Sequence, residues 1–533
     1  MDKQNTQKRI LFATLISFAF FIAYDYFYLM PKNEAKKQQM AMEQNKSKVT
    51  TASSQASNTT APVKETTASA EPAPVGSSSG TIISTIKTKL SVIQIDHLGR
   101  IAQVTMNDTK YQLGNKAQVK LFDPAQLKPL EVRFSNTALN EEAFKVNYIA
   151  STSTIDATSN AQEITLKQQL KDTNLTKKLK FYPDGHYDVE ISSSKADEFF
   201  VTTGFRPNVL ADNYTNHGAL LKQADNTFTT VQDKDIEKIQ NVVGVKIASA
   251  FDRYYSSTIY NFKSPMNVFM MPNSDKSPQI FVSVKQNFSA SGYIGPKDYD
   301  LLASINPELT DVIEYGWFTF ISNPMFLFLK YLYNLTGNWG WAIVLLTIIV
   351  KLVLYPLSYK GMVSMQKLKN LAPKIKDLQE KYKGDSQKLG MHMMELYKKH
   401  DANPMGGCLP IILQIPVFFA IYRVLLNAIE LEGAAWILWI DNLAVMDQYF
   451  ILPILMGITM YIQQRITPTT ITDPIQQKMF QWLPIVFTVF FLWFPAGLTL
   501  YWFINNLFTV AQQYYINQLF EKRKLLKAEQ DVK

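Results

Sequence analysis

The stretch Trp341-Ala-Ile-Val-Leu-Leu-Thr347-Ile-Ile-Val-Lys351-Leu-Val-Leu-Tyr-Pro356 is apolar throughout except for one threonine and one lysine. Such a run is a membrane-spanning or deeply buried helix. The lysine narrows the choice. A cation at the centre of a bilayer costs ~3 kcal/mol on insertion scales, so intramembrane charges face protein or a water-filled cavity. Along an unbroken helix Lys351 lies about 13 Å from Lys360 at the cytoplasmic side, farther than a lysine stem easily snorkels. The stretch therefore predicts a helical bundle around a wet cavity, with Thr347 one turn from Lys351.

Outward from this segment, the apolar spans read 339–357, 409–428, 449–462, 481–495 and 498–512. Gln414, Thr459, Gln463, Asn505 and Asn506 supply further polar groups for the cavity. None of these spans is credited with an acidic partner for Lys351, which argues against an ion pump and for transient contact with acidic or polar peptide. Interhelical hydrogen bonding explains each Gln or Asn singly. Spans of 14 or 15 residues reach about 21 to 23 Å against a hydrocarbon core of ~30 Å, which implies local thinning of the bilayer unless their ends extend further.

Charge orients the spans. The chain has 54 Lys+Arg against 45 Asp+Glu, a formal charge of +9. Lysines from Lys360 to Lys399 crowd one loop, the next carries Glu430, Glu432, Asp441 and Asp447 without Lys or Arg, and Arg465, Lys478 and the tail Lys522-Arg-Lys524 restore the basic sign. Basic loops stay cytoplasmic. With an uncleaved signal anchor at Ile10–Tyr28, ending in an aromatic belt, six spans result with both termini cytoplasmic.

The remaining organisation follows from composition: residues 1–30 the signal-anchor span, 31–80 an Ala/Ser/Thr/Lys-rich disordered tether, and 81–315 an exported β-domain of short alternating strands. Residues 316–335 form an interfacial helix, broken at Asn323-Pro324, and 336–515 the helical core with a cytoplasmic helical hairpin at 361–400. Residues 516–533 are a basic cytoplasmic tail. The fold class is thus a multi-pass α-helical membrane protein, with six spans and a five-helix core, carrying a large exported all-β sandwich. Met362, Met365, Met391, Met393 and Met394 give the hairpin a soft surface for variable apolar segments, although a hairpin packed on itself explains the same pattern.

A single cysteine, Cys408, excludes a disulfide framework or CxxC site, and five scattered histidines without HExxH give no metal site; no cofactor is expected. Gly76-Ser-Ser-Ser-Gly80 matches GxSxG only inside the tether, without the strand and helix that motif requires. Asp96-His97 and Asp184 with His186 read as turn and surface residues.

Motifs across 315–520 are specific. Glu314-Tyr-Gly-Trp-Phe, Gly337-Asn-Trp-Gly-Trp, Asn403-Pro-Met-Gly-Gly-Cys-Leu-Pro, Ile451-Leu-Pro-Ile-Leu-Met-Gly, Thr472-Asp-Pro-Ile-Gln-Gln-Lys-Met and Phe490-Phe-Leu-Trp-Phe-Pro-Ala-Gly-Leu-Thr-Leu-Tyr-Trp closely resemble the YidC/Oxa family of membrane insertases. The resemblance implies a non-enzymatic bacterial inner-membrane insertase and chaperone with a periplasmic domain. Its partners would be nascent membrane proteins, membrane lipids and the Sec translocon, with the ribosome and the signal recognition particle pathway as further candidates. It also implies a hydrophilic groove open to the cytoplasm and to lipid. There Lys351 stands where the family usually has arginine, and Tyr501-Trp502 where it often has two tyrosines. The substrate-groove residues on this reading are Lys351, Thr347, Gln414, Gln463, Tyr501, Trp502 and Asn505. A small-solute transporter would show broken, repeated helices around a midplane site, and an anchored epimerase would need converging acid and base groups in the β-domain.

Overall fold

In the computed structural model, residues 80–531 are described apart from 112–117, 210–215, 314, 317–318, 401, 403–408 and 469–473. The signal anchor, almost all of the tether and Cys408 lie outside the described residues.

Alternation builds the β-domain. In strands Gln162–Gln169, Asn174–Phe181 and His186–Ser193 every second side chain is buried, so Ile164, Leu166, Leu175, Leu179, Val189 and Ile191 share one face. The Pro183-Asp-Gly turn joins the last two, with Gly185 at φ +86°. These strands belong to a 13-stranded sheet, packed with a 4-stranded sheet whose order is Ile101–Met106, Ser91–Asp96, Ile82–Lys87, Thr154–Asp156. The larger sheet can bend because strand Gln240–Phe251 slips register between Val242 and Val245, at Gly244 with φ +78°. A bulge of this kind twists a strand away from its first partner: its front half pairs with Met266–Pro272 and its rear half with Tyr255–Tyr260. Two short helices, α1 (Thr137–Ala143) and α2 (Tyr299–Ile305), complete the domain.

The alternation also buries a cation. Lys177 shares the inward face with Leu175 and Leu179 and is fully buried, where its Nζ donates to the carbonyls of Gly99 (2.9 Å) and Leu130 (2.8 Å) and lies 4.6 Å from the Tyr148 ring centroid. Burial lowers its pKa to about 7. Asp96 corrects its reading as a plain turn residue: it accepts from the Leu98 N–H in a turn, but it is fully buried and paired with Arg100, which also binds Glu131 at 2.7 Å.

The helical core comprises α3 (Thr319–Thr336), α4 (Trp339–Val353), α5 (Tyr355–Lys381), α6 (Ser386–Lys399), α7 (Leu409–Asn427), α8 (Ile451–Ile466), α9 (Pro474–Phe491) and α10 (Ala496–Asp531). Three expectations change. The helix α3 runs through Pro324 instead of breaking there: the proline forfeits a backbone hydrogen bond to the preceding turn, but Phe326, Leu329 and Leu332 anchor the helix in the core. The last three spans extend past their sequence limits, with helices of 16, 18 and 36 residues, or about 24, 27 and 54 Å, so the shortfall against a ~30 Å core narrows for the first two and disappears for the third. Finally, α4 does not continue straight beyond Lys351: it turns by 63° into α5, with Pro356 in the first turn of the new helix, so the distance counted along one helix to Lys360 does not apply.

Among the described residues no single helix is long and apolar enough to cross a membrane, while the bent α4–α5 pair passes together. Helices α5 and α6 form the expected hairpin around Leu368, Leu371 and Ile375, joined at Gly384 with φ +102°.

The β-domain is seated on the loop after α7. Arg253 Nε donates to the carbonyl of Leu426 (2.8 Å), and the carboxylate of Glu430 accepts the Tyr299 N–H at the start of α2 (3.0 Å). Asp298 caps α2 and pairs with Lys110 (2.5 Å), while the Tyr111 hydroxyl donates to it (3.2 Å). Burial, together with the neighbouring Asp298, pushes Glu430 up to about 7.

Candidate substrate groove

The helix α10 carries the polar face of the core. From Trp502, steps of three or four residues pass through Asn505 and Asn506, Thr509, and Gln512 and Gln513, which fall on one side of a helix. All of them line a cavity of about 420 Å³ that α4, α5, α7 and α8 close from other sides. Because α4 packs on α10, the Lys351 side chain points into this space. It is 6% exposed, and its Nζ donates to Thr509 Oγ1 at 2.9 Å. No Asp or Glu lines the cavity among the described residues. Lys351 is therefore turned inward to a neighbouring helix and does not snorkel.

Gln414 on α7 bridges to α10, donating from Nε2 to Asn505 Oδ1 (3.0 Å). Gln463 lines the cavity from α8. Three buried polar atoms at the groove have no hydrogen-bond partner among the described residues: Trp502 Nε1, Asn506 Nδ2 and Gln512 Oε1. A buried donor or acceptor left unmet costs about 1–3 kcal/mol, so these atoms call for water or peptide. Beyond Trp502 the cavity meets rings: Phe418 edge-on at 4.6 Å, Phe491 at 5.4 Å and Phe487 at 6.3 Å from the indole. These rings occupy the end of the cavity nearest the start of α10.

The expected site residues separate. Lys351, Gln414, Gln463, Tyr501, Trp502 and Asn505 come together at the cavity. Tyr501 is almost wholly buried behind Trp502, so it offers far less surface than the exchange of a tyrosine pair for Tyr-Trp implied. Thr347 is a correction: it is not among the lining residues, is 1% exposed, and donates its hydroxyl to the Ile343 carbonyl of its own helix (2.7 Å). A residue one turn before Lys351 points the same way only approximately, and here α4 packing covers it. Thr459 likewise bonds back to Met456 (2.7 Å).

The methionines also divide. Met362 and Met365 line the groove, Met365 and Met393 pack in the hairpin interior, and Met391 and Met394 are exposed. They form no single surface. Thr509 and Gln512 lie inside the 498–512 span and Gln513 one residue past it; none is among the expected groove residues, although the three- and four-residue spacing from Asn505 points to all of them.

A larger concavity, about 980 Å³, opens in the β-domain beside His186, Asp188 and Glu190. There His186 is held by Asp184 and stacked on Tyr182, while Asp188 accepts from Tyr182 (2.7 Å) and Ser291 (2.6 Å). These bonds engage the acid and imidazole groups locally.

The helical core thus encloses a cationic polar groove, with no acid lining it among the described residues, and carries a β-domain of two packed sheets. Two family models match in this order: the YidC periplasmic domain over residues 213–328 and the 60Kd inner membrane protein over 331–524. The chain is 50% identical to the membrane protein insertase YidC of Campylobacter jejuni over 97% of both chains, and 49% identical to that of Wolinella succinogenes over 98% of this chain and 97% of the relative. The Helicobacter pylori counterpart is 44% identical over 99% of each. The chain belongs to the YidC family of non-enzymatic membrane protein insertases, found in the bacterial inner membrane. A crystal structure of an active YidC insertase with its first transmembrane domain resolved aligns over 82% of this chain and 95% of that one, at 18% identity and a TM-score of 0.36.

Proposed function

We propose that this chain inserts and folds integral membrane proteins by hydrating their polar flanks in the groove at Lys351, while the apolar segment leaves sideways into lipid. The observation that carries this reading is the cavity itself: a buried ammonium without an acidic neighbour and three unmet polar atoms in about 420 Å³. Such a site lowers the cost of taking a polar segment part-way into the bilayer. Lys351 attracts acidic flanks, Gln414, Gln463 and Asn505 hydrogen-bond peptide, and Trp502 offers its ring to apolar side chains.

The groove opens to the cytoplasm in this proposal, since its hairpin-side rim contains Met362 and Met365 and the basic loop should remain cytoplasmic. Six spans, both termini cytoplasmic and the β-domain periplasmic follow from the same charge pattern. Sec translocon, ribosome and signal recognition particle are partners on this reading; the basic hairpin and tail support a phosphate-rich partner.

Photocrosslinkers at Trp502 and Gln463, with one at lipid-exposed Ile454 as control, test the route using a ribosome-stalled nascent membrane protein. Adducts from the two groove positions in excess of the control are expected. Adducts from the control alone would remove the groove from the path.

A further inference from the structure

Thr509 was not part of the sequence reading, yet it is the acceptor that the Lys351 ammonium meets among the described residues. Its geometry is specific. The Thr509 hydroxyl donates its own proton to the Asn505 carbonyl one turn earlier (2.8 Å), which fixes the rotor. A hydroxyl has one hydrogen and two lone pairs, so with the hydrogen committed to the helix the oxygen can only accept at Lys351. The ammonium has three donors, of which Thr509 takes one and leaves others for a ligand.

The spacing places this pair within the polar face of α10. Thr509 lies between Asn506 and Gln513, and Gln414 holds Asn505, whose carbonyl orients Thr509. The bonds therefore tie three helices together at Asn505 on α10, whose side-chain oxygen accepts from Gln414 on α7 and whose main-chain carbonyl accepts from Thr509, itself the acceptor for Lys351 on α4. A flexible four-carbon stem, unlike a planar guanidinium, carries no fixed donor geometry of its own. An external acceptor has to supply the aim.

We propose that Thr509 is a positioning residue that aims the Lys351 ammonium into the groove, so that acidic peptide flanks are preferred over neutral ones. This rests on the reading of Lys351 as the groove's charge contact. A carboxylate is the chemical class recognised, because it accepts the remaining donors and the groove holds no competing acid.

The test uses the full chain in proteoliposomes with two substrates that differ only in an acidic or neutral translocated flank. Thr509→Val keeps shape and removes the acceptor; Thr509→Ser keeps the acceptor. The acid-to-neutral insertion ratio should fall by roughly fivefold to tenfold in Thr509→Val, the scale of one ordinary intramolecular hydrogen bond, and Thr509→Ser should restore it. Lys351→Ala should lower the ratio as well, and Thr509→Val added to it should change nothing further, since a residue acting through another has no independent effect. If Lys351→Ala lowers the ratio while Thr509→Val does not, the positioning role is overturned and the charge reading stands. Equal loss for both substrates in Thr509→Val makes the residue structural and also overturns the proposal. An unchanged ratio in Lys351→Ala overturns both. Matching protein levels and thermal midpoints of the variants keep misfolding out of the comparison.

Discussion

Replacing Glu430 by Gln should stabilise the seat between the β-domain and the helical core, and only above a defined pH. Glu430 sits half-buried in the loop after α7, with Asp298 at the start of α2 on one side and Lys110, Tyr111 and Tyr315 around it. Its carboxylate accepts the Tyr299 N–H, a bond that a glutamine carbonyl can keep. Burial and Asp298 together raise the pKa from 4.5 to about 7. The folded state thus binds the proton more tightly than the unfolded chain does. Stability from this group is fully present below the unfolded value and is lost as pH rises through about 7. At ~1.36 kcal/mol per pKa unit the loss approaches roughly 3 kcal/mol at pH 8.5. For a domain of this size ~1 kcal/mol moves the midpoint by about 2–4 °C. Differential scanning fluorimetry of the full chain in detergent should therefore show Glu430→Gln melting roughly 5–10 °C above wild type at pH 8.5, and level with it at pH 4. A pH-independent difference, or a lower midpoint for the variant at pH 8.5, would refute the argument that a half-buried, acid-flanked carboxylate resists ionisation here.

Lys351→Glu should impair insertion of acid-flanked substrates through repulsion, and normal insertion at unchanged protein level would sink the electrostatic part of the mechanism. Arg100→Met removes one member of the buried Asp96–Arg100–Glu131 cluster and leaves Asp96 without its ion-pair partner while Glu131 keeps Arg133, which should cost about 3–5 kcal/mol, read as a lower denaturation midpoint. Gly340→Val would drive a side chain into the Trp436 indole; overpacking of this kind costs about 1–3 kcal/mol, and limited proteolysis of the loop that bears Trp436 should then cut faster than in wild type. Gln414→Leu leaves the Asn505 amide without its donor, and should reduce crosslinking to polar flanks more than to apolar segments.

Much of the architecture was legible because its signals are local. Apolar runs, the reversal of loop charge and the two-residue alternation of Leu175, Leu179 and Phe181 each depend on near neighbours in the chain. The hairpin followed from the spacing of Leu368, Ile375 and Leu396 and from Gly384, which tolerates a positive φ. Lys351 was legible for the same reason: a charge in an apolar helix is conspicuous without any partner. Errors occurred where the answer depended on distant groups. Thr347 and Thr509 are both threonines in apolar helices, but α4 packing hides the first, and α10 brings the second against Lys351 from 158 residues away.

What the sequence determined by itself was the class of protein, the alternation of charge between successive loops, and the presence of a lysine inside an apolar helix. Tertiary structure alone decided which polar residues share the cavity, that α4 bends by 63° just after Lys351, and that Glu430 carries an altered proton affinity at the β-domain's seat. The physical reason is the range of the forces. Hydrophobic periodicity and topology-setting charge act along the chain, whereas hydrogen-bond pairing and desolvation depend on which surfaces meet after the helices pack.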